Sequence, residues 1–158
     1  MAGILFSDKN MVLAGFNQKQ FKVTGLGGKA RKGEWPTMTA VREVVEELFE
    51  IKEPINEIVL NIHSRLCFDN TMFYPDYAMF VMNFNDLNLI MNIIQEYPVT
   101  SAVYESLPSS LIGLIMTRKS NTEGEISHLA LLPCSYNLSF DPTFVGDVNT
   151  FKNCASSM

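Results

Sequence analysis

Apolar and polar positions alternate or cluster along this chain in a way that divides it into short strands and a few helices. Residues 3–7 and 11–16 form two apolar runs separated by the polar turn Asp8, Lys9, Asn10, a hairpin-like pattern. Residues 21–26 give a third strand and end in the glycine-rich Gly25-Leu26-Gly27-Gly28. From Pro36 the period changes: Val41, Val44, Val45 and Leu48 recur at helical spacing, with Pro36 suited to a first turn and Pro54 setting an outer limit. A helix over 36–52 is expected. Residues 55–67 and 76–84, rich in β-branched and apolar types, read as strands with a hairpin loop over 68–75. Helices are expected at 87–97 and 102–107, a polar loop at 118–124, a strand at 125–132, and a loop with a short helix over 133–158.

This order of elements fits an α/β (α+β) layer fold, and no internal repeat or linker divides it. A length of 158 residues with 47% hydrophobic content suits one domain, 1–158.

The expected helix raises a physical question. On a wheel of about 100° per residue with Glu43 at zero, Glu46, Glu47 and Glu50 fall at roughly 300°, 40° and 340°. The valines and Leu48 occupy the opposite side, so this helix has one apolar face and one carboxylate stripe. Like charges at this spacing destabilise a helix. Arg42 lies one turn before Glu46 and can offset only part of the repulsion.

Charge alters the picture around that helix. The chain carries a net charge of −5, which gives no general nucleic-acid footprint and excludes DNA as an expected partner. Yet Lys19, Lys22, Lys29, Arg31 and Lys32, five of its twelve cationic residues, fall between positions 19 and 32. Carboxylates beside an anion-attracting, glycine-rich loop form the arrangement in which a divalent ion bridges protein and polyphosphate. Magnesium takes oxygen ligands and keeps phosphate or water in its remaining positions.

Cys67, Cys134 and Cys154 are odd in number, widely spaced and without a CxxC pair, which argues for reduced thiols over a disulfide framework or zinc site. No apolar stretch reaches the roughly 20 residues that span a bilayer, and the N-terminus lacks a basic n-region. These features predict a cytoplasmic or nuclear protein that is neither secreted nor membrane-bound.

The segment 28–50 resembles the signature of the Nudix hydrolases, G-x5-E-x7-R-E-U-x-E-E-x-G-U, where U is bulky and apolar. Gly28, Glu34, Arg42-Glu43, Val44 and Glu46-Glu47 occupy the matching positions. The ending departs: Phe49 stands where glycine is usual and Glu50 where an apolar residue is usual, with Ile51 placed to take the apolar role. The resemblance implies a Nudix-like α/β/α sandwich with a mixed β-sheet and a catalytic loop-helix. It implies Mg2+ or Mn2+ held by Glu43, Glu46, Glu47 and the Gly27 carbonyl, with the same glutamates catalytic. Gly28, Glu34 and Arg42 become supporting residues, and Lys29, Arg31, Lys32 and Arg65 candidate phosphate contacts. An extra acid from a later loop is common in the family; Glu96 and Glu105 are the leading candidates, with Glu123 and Glu125 ranked below them. The implied activity is cleavage of a pyrophosphate bond in a nucleoside diphosphate linked to another group. Capped RNA as substrate and a non-catalytic ligand-sensing domain are the alternatives, and the chain is expected to be a monomer or homodimer. His63 and His128 lie in strand-like runs and read as structural. Trp35 is either a stacking surface for a base or a hydrophobic staple.

Overall fold

The computed structural model describes residues 1–51, 55–120 and 124–134. The two opening strands are β1 (Ala2–Phe6) and β2 (Met11–Asn17). Their turn is held by Asp8, whose carboxylate accepts from the backbone N–H groups of Asn10 and Met11 at 2.8 and 2.7 Å. The third expected strand splits into β3 (Lys22–Thr24) and β4 (Leu26–Gly28), which separate into different sheets.

A four-stranded mixed sheet has the order β4-β1-β6-β5, where β5 is Thr71–Tyr74 and β6 is Tyr77–Met82. β1 runs parallel to β6 and antiparallel to β4. A three-stranded antiparallel sheet has the order β3-β2-β7, with β7 at His128–Pro133. Alternation along β1 and β6 explains the layering. Ala2, Ile4, Phe6, Ala78, Phe80 and Met82 face the helices, while Leu5 and Met79 face Val12 and Ala14 of the second sheet. The fold is therefore mixed α+β, as the sequence pattern predicts.

The carboxylate-bearing helix starts as α1 (Pro36–Glu43) and continues into a π-helical turn, Val44–Leu48. Val41, Val44, Val45 and Leu48 are buried, as their spacing predicts. The helix ends at Phe49, short of the expected Lys52, which lies outside the described residues.

Three expected elements differ. The sequence pattern predicts a strand over 55–67, but Asn56–Arg65 is α2. Its Ile58, Val59 and Ile62 follow the helical period and bury against the core with α1, which outweighs β-propensity. Half of the expected loop at 68–75 is β5, paired with β6 around a turn at Pro75 and Asp76. No helix forms at 102–107; there the Ser101 hydroxyl takes the N–H groups of Val103 and Tyr104, both at 3.0 Å, and Pro108 follows. The short helix lies later, as α4 (Leu111–Met116), capped by Ser110. Before it runs α3 (Phe84–Gln95), opened by a capping box of Asn83 and Asp86.

Cys67 is exposed and Cys134 buried. Cys154, Glu123 and the expected terminal helix beyond residue 134 lie outside the described residues. Among the described residues, no helix is long and apolar enough to cross a membrane.

Candidate active site

The site begins with two glycines on β4. Antiparallel pairing sets Gly27 opposite Gly3, and a Cβ on Gly27 would lie 2.8 Å from the Ala2 carbonyl oxygen. This close packing directs the Gly27 N–H towards the helix, where it donates to Glu47 Oε2 at 3.1 Å. A Cβ on Gly28 would stand 2.6 Å from Glu43 Cδ, so only glycine leaves room for that carboxylate.

Arg42 organises the other acids. Its Nε and Nη2 donate to the two oxygens of Glu34, each at 2.9 Å. Nη1 donates to Glu43 Oε1 at 2.9 Å and Glu46 Oε2 at 2.7 Å, and Nη2 also reaches the Lys29 carbonyl at 2.8 Å. The Arg42 side chain is only 6% exposed. Its guanidinium holds the Glu34 carboxyl down at about 2, helped by the Thr39 hydroxyl and the Arg31 N–H. One residue thus links the motif's loop acid, its helix acids and the backbone of the basic loop.

The phosphate candidates separate. Arg31 is ion-paired with Glu46 at 2.6 Å, so its charge lies against the carboxylate stripe. Lys29 and Lys32 are exposed on the same loop. Arg65 belongs to α2, not to a strand, and pairs with Glu96 at 3.7 Å where the ends of α2 and α3 meet. Glu105 lines a polar cavity with Tyr97, Ser101 and Tyr104. Among the described contacts, none joins Arg65, Glu96 or Glu105 to the glutamates of the helix.

Glu125 is the acid that does meet them. It lies three residues before the first residue of β7, and its side chain is hydrogen-bonded to Glu47. Burial first, then this contact, pushes the Glu47 carboxyl up to about 9, against the opposing pull of the Gly27 N–H. Burial also raises Glu43, partly offset by Arg42, and the charges of Glu46 and Glu125 add to the rise. Nothing local in the sequence distinguishes Glu125 from Glu96 and Glu105, the leading candidates. Its place is set by the pairing of β7 with β2.

Glu50 leaves the stripe. Its backbone is left-handed, φ 43°, and its carboxylate lies 3.6 Å from Arg118 Nη2. Trp35 is the N-cap residue of α1 with 76% exposure, too open to act as a hydrophobic staple. His63 bonds Thr37 at 2.8 Å and stacks on Phe68, while His128 contacts Ser127 at 3.0 Å beside Phe16.

Among the described residues, no group of three or more His, Cys, Asp or Glu side chains converges as a ready-made cation cage. Arg42 and Arg31 hold Glu46 and one oxygen of Glu43. The donor set still fits Mg2+ or Mn2+. It is all oxygen, Glu47 and Glu125 lie side by side, and Mg2+ needs only one or two carboxylates beside phosphate and water.

No protein-family model matches the chain, and no curated protein matches it. A solved structure of a NUDIX-family hydrolase from Clostridium perfringens aligns with 98% of this chain and 94% of its own, with TM-score 0.44 and 14% identity. At that TM-score the likeness decides nothing about chemistry.

Proposed function

We propose that this chain is a Nudix-type pyrophosphohydrolase that cleaves a nucleoside diphosphate linked to another group, with Mg2+ or Mn2+ as cofactor. One observation carries the reading: the motif's Glu47 carboxyl is buried between the Gly27 N–H and Glu125, with Glu43 beside it. Burying an acid against another acid costs stability unless the site serves a positive ligand.

In the proposed reaction water attacks one phosphorus, its oxygen forming the new P–O bond. The bridging P–O bond breaks, its electron pair leaves on the second phosphate, and a carboxylate takes the water's proton. Glu43, Glu47 and Glu125 would hold the cation, joined by Glu46 once Arg31 turns to the substrate. When bound, it neutralises charge developing on the phosphates and lowers the pKa of the attacking water. Arg42 and Glu34 keep the helix acids in register, and Gly27 fixes the orientation of Glu47. Lys29, Lys32 and a released Arg31 take the distal phosphate; Glu43 or Glu47 accepts the proton.

A second reading, in which the linked group is RNA and the reaction removes a 5′ cap, is favoured by Trp35. Its exposed ring follows Lys32 on the basic loop, as stacking on a base beside a charged backbone requires.

The test is a panel of nucleoside triphosphates, dinucleotides, nucleotide sugars and capped RNA, incubated with Mg2+ or Mn2+ and resolved by product mass. Cation-dependent release of a nucleoside monophosphate or diphosphate is expected. Undiminished turnover in chelator, or no turnover of any member, would overturn the proposal.

A further inference from the structure

Arg118 follows α4 and its side chain is 1% exposed, although burying a charge is expensive without strong compensation. Its Nη1 donates to the Leu48 carbonyl, and its Nη2 donates to the Glu47 carbonyl at 3.2 Å and the Ile126 carbonyl at 3.0 Å. The guanidinium stands over the Tyr104 ring, 5.6 Å from its centroid. Carbonyls at a helix C-terminus lack intrahelical partners and favour a cation, so the first two bonds read as capping.

The third bond has a different consequence. Ile126 directly follows Glu125, so one planar group joins the backbone of Glu47 to the segment that carries Glu125. On its other side, that segment is pinned to β2 by Ser127, whose N–H and hydroxyl both donate to the Phe16 carbonyl, at 2.9 and 3.0 Å. We propose that Arg118 is a positioning residue that sets Glu125 against Glu47, and so fixes the separation of two cation ligands. This rests on the metal-site reading above. A lysine keeps the charge but cannot present the fork to three carbonyls at once.

The test is a double-mutant cycle of Arg118→Lys and Glu125→Gln, read by substrate-free Mn2+ binding from electron paramagnetic resonance, alongside melting temperature. Residues that orient metal ligands typically change affinity by about 10–100-fold. Each single variant should weaken Mn2+ binding by roughly that factor, and the double variant should bind within about threefold of Glu125→Gln alone. Losses that multiply would overturn the proposal, as would Arg118→Lys lowering melting temperature with Mn2+ affinity unchanged. Glu125→Gln binding like the parent would do the same. Parental protein that binds no Mn2+ overturns the metal-site reading as well, which separates the two failures. Arg118→Gln replaces the lysine variant if that does not fold; failure of both to fold assigns Arg118 to the fold instead.

Discussion

A guanidinium has five N–H donors, and Arg42 directs them at Glu34, Glu43, Glu46 and the Lys29 carbonyl while almost fully buried. Carboxylates at repelling spacing are thereby tolerated. Removing the arginine exposes the whole repulsion. Arg42→Ala should cost about 3 kcal/mol, the scale of a broken buried pair, and added Mg2+ should restore part of it; urea unfolding with and without Mg2+ measures both. Glu34 allows a test with a defined sign. Its folded carboxyl lies at about 2 against an ordinary 4.5. Between those values the unfolded chain binds more protons, so the stability Glu34 contributes is complete above about 4.5 and lost as pH falls through about 2. The melting-temperature gap between parent and Glu34→Gln should thus be widest at neutral pH and shrink in acid. A gap constant with pH would show that the Glu34–Arg42 contact is not what stabilises the loop. For Glu47→Gln, the neutral amide replaces a carboxyl already held protonated by burial, so neutral-pH stability should hold while turnover falls by orders of magnitude. Parental turnover in that variant would end the catalytic reading of the helix.

At the scale of elements, the helix shows how far a periodic pattern reaches. Its start follows from Pro36, suited to a first turn, and its buried face of Val41, Val44, Val45 and Leu48 from spacing. Its end does not. The π turn over Val44–Leu48 fits one more residue into the last turn, and the left-handed residue that closes it is Glu50, one later than the glycine of the resembled motif. No propensity marks glutamate for that conformation. Tertiary contacts impose it: Ala102 N donates to the Glu50 carbonyl at 3.0 Å, and Ile51 bridges Ser101. The strain is measurable by comparing Glu50→Gly with Glu50→Ala, since both lose the carboxylate and only glycine is at ease left-handed. The glycine variant should be more stable by about 1 kcal/mol in denaturant unfolding. Equal stability would contradict this helix exit. The misread segment at 55–67 has a related cause. Its β-branched residues fit strand and helix alike, and only packing of Ile58, Val59 and Ile62 against the core decides for α2.

Across the whole molecule, the site joins parts that sequence distance keeps separate. Gly27 and Gly28 come from the four-stranded sheet, the glutamates from the helix lying on it, and Glu125 from the segment entering the three-stranded sheet. The local part was legible because a motif's residues share one loop and one helix. Glu125 was not, because strand pairing between Phe16 and His128, which anchors its segment, leaves no local trace in composition. This division has a thermodynamic consequence. A cation bound by Glu47 and Glu125 ties the two sheets together only in the folded state, so it should stabilise by mass action, about 2.7 kcal/mol at a hundredfold excess over its dissociation constant. For a chain of this size that corresponds to roughly 5–10 °C in melting temperature. Glu125→Gln should lose most of the Mn2+-dependent rise, while Glu105→Gln, altered in the separate cavity beside Tyr104, should keep it. Calorimetric scans of both variants across an Mn2+ series decide the matter. An undiminished rise in Glu125→Gln would remove Glu125 from the site, and a rise lost in Glu105→Gln would move the cation to the other cavity.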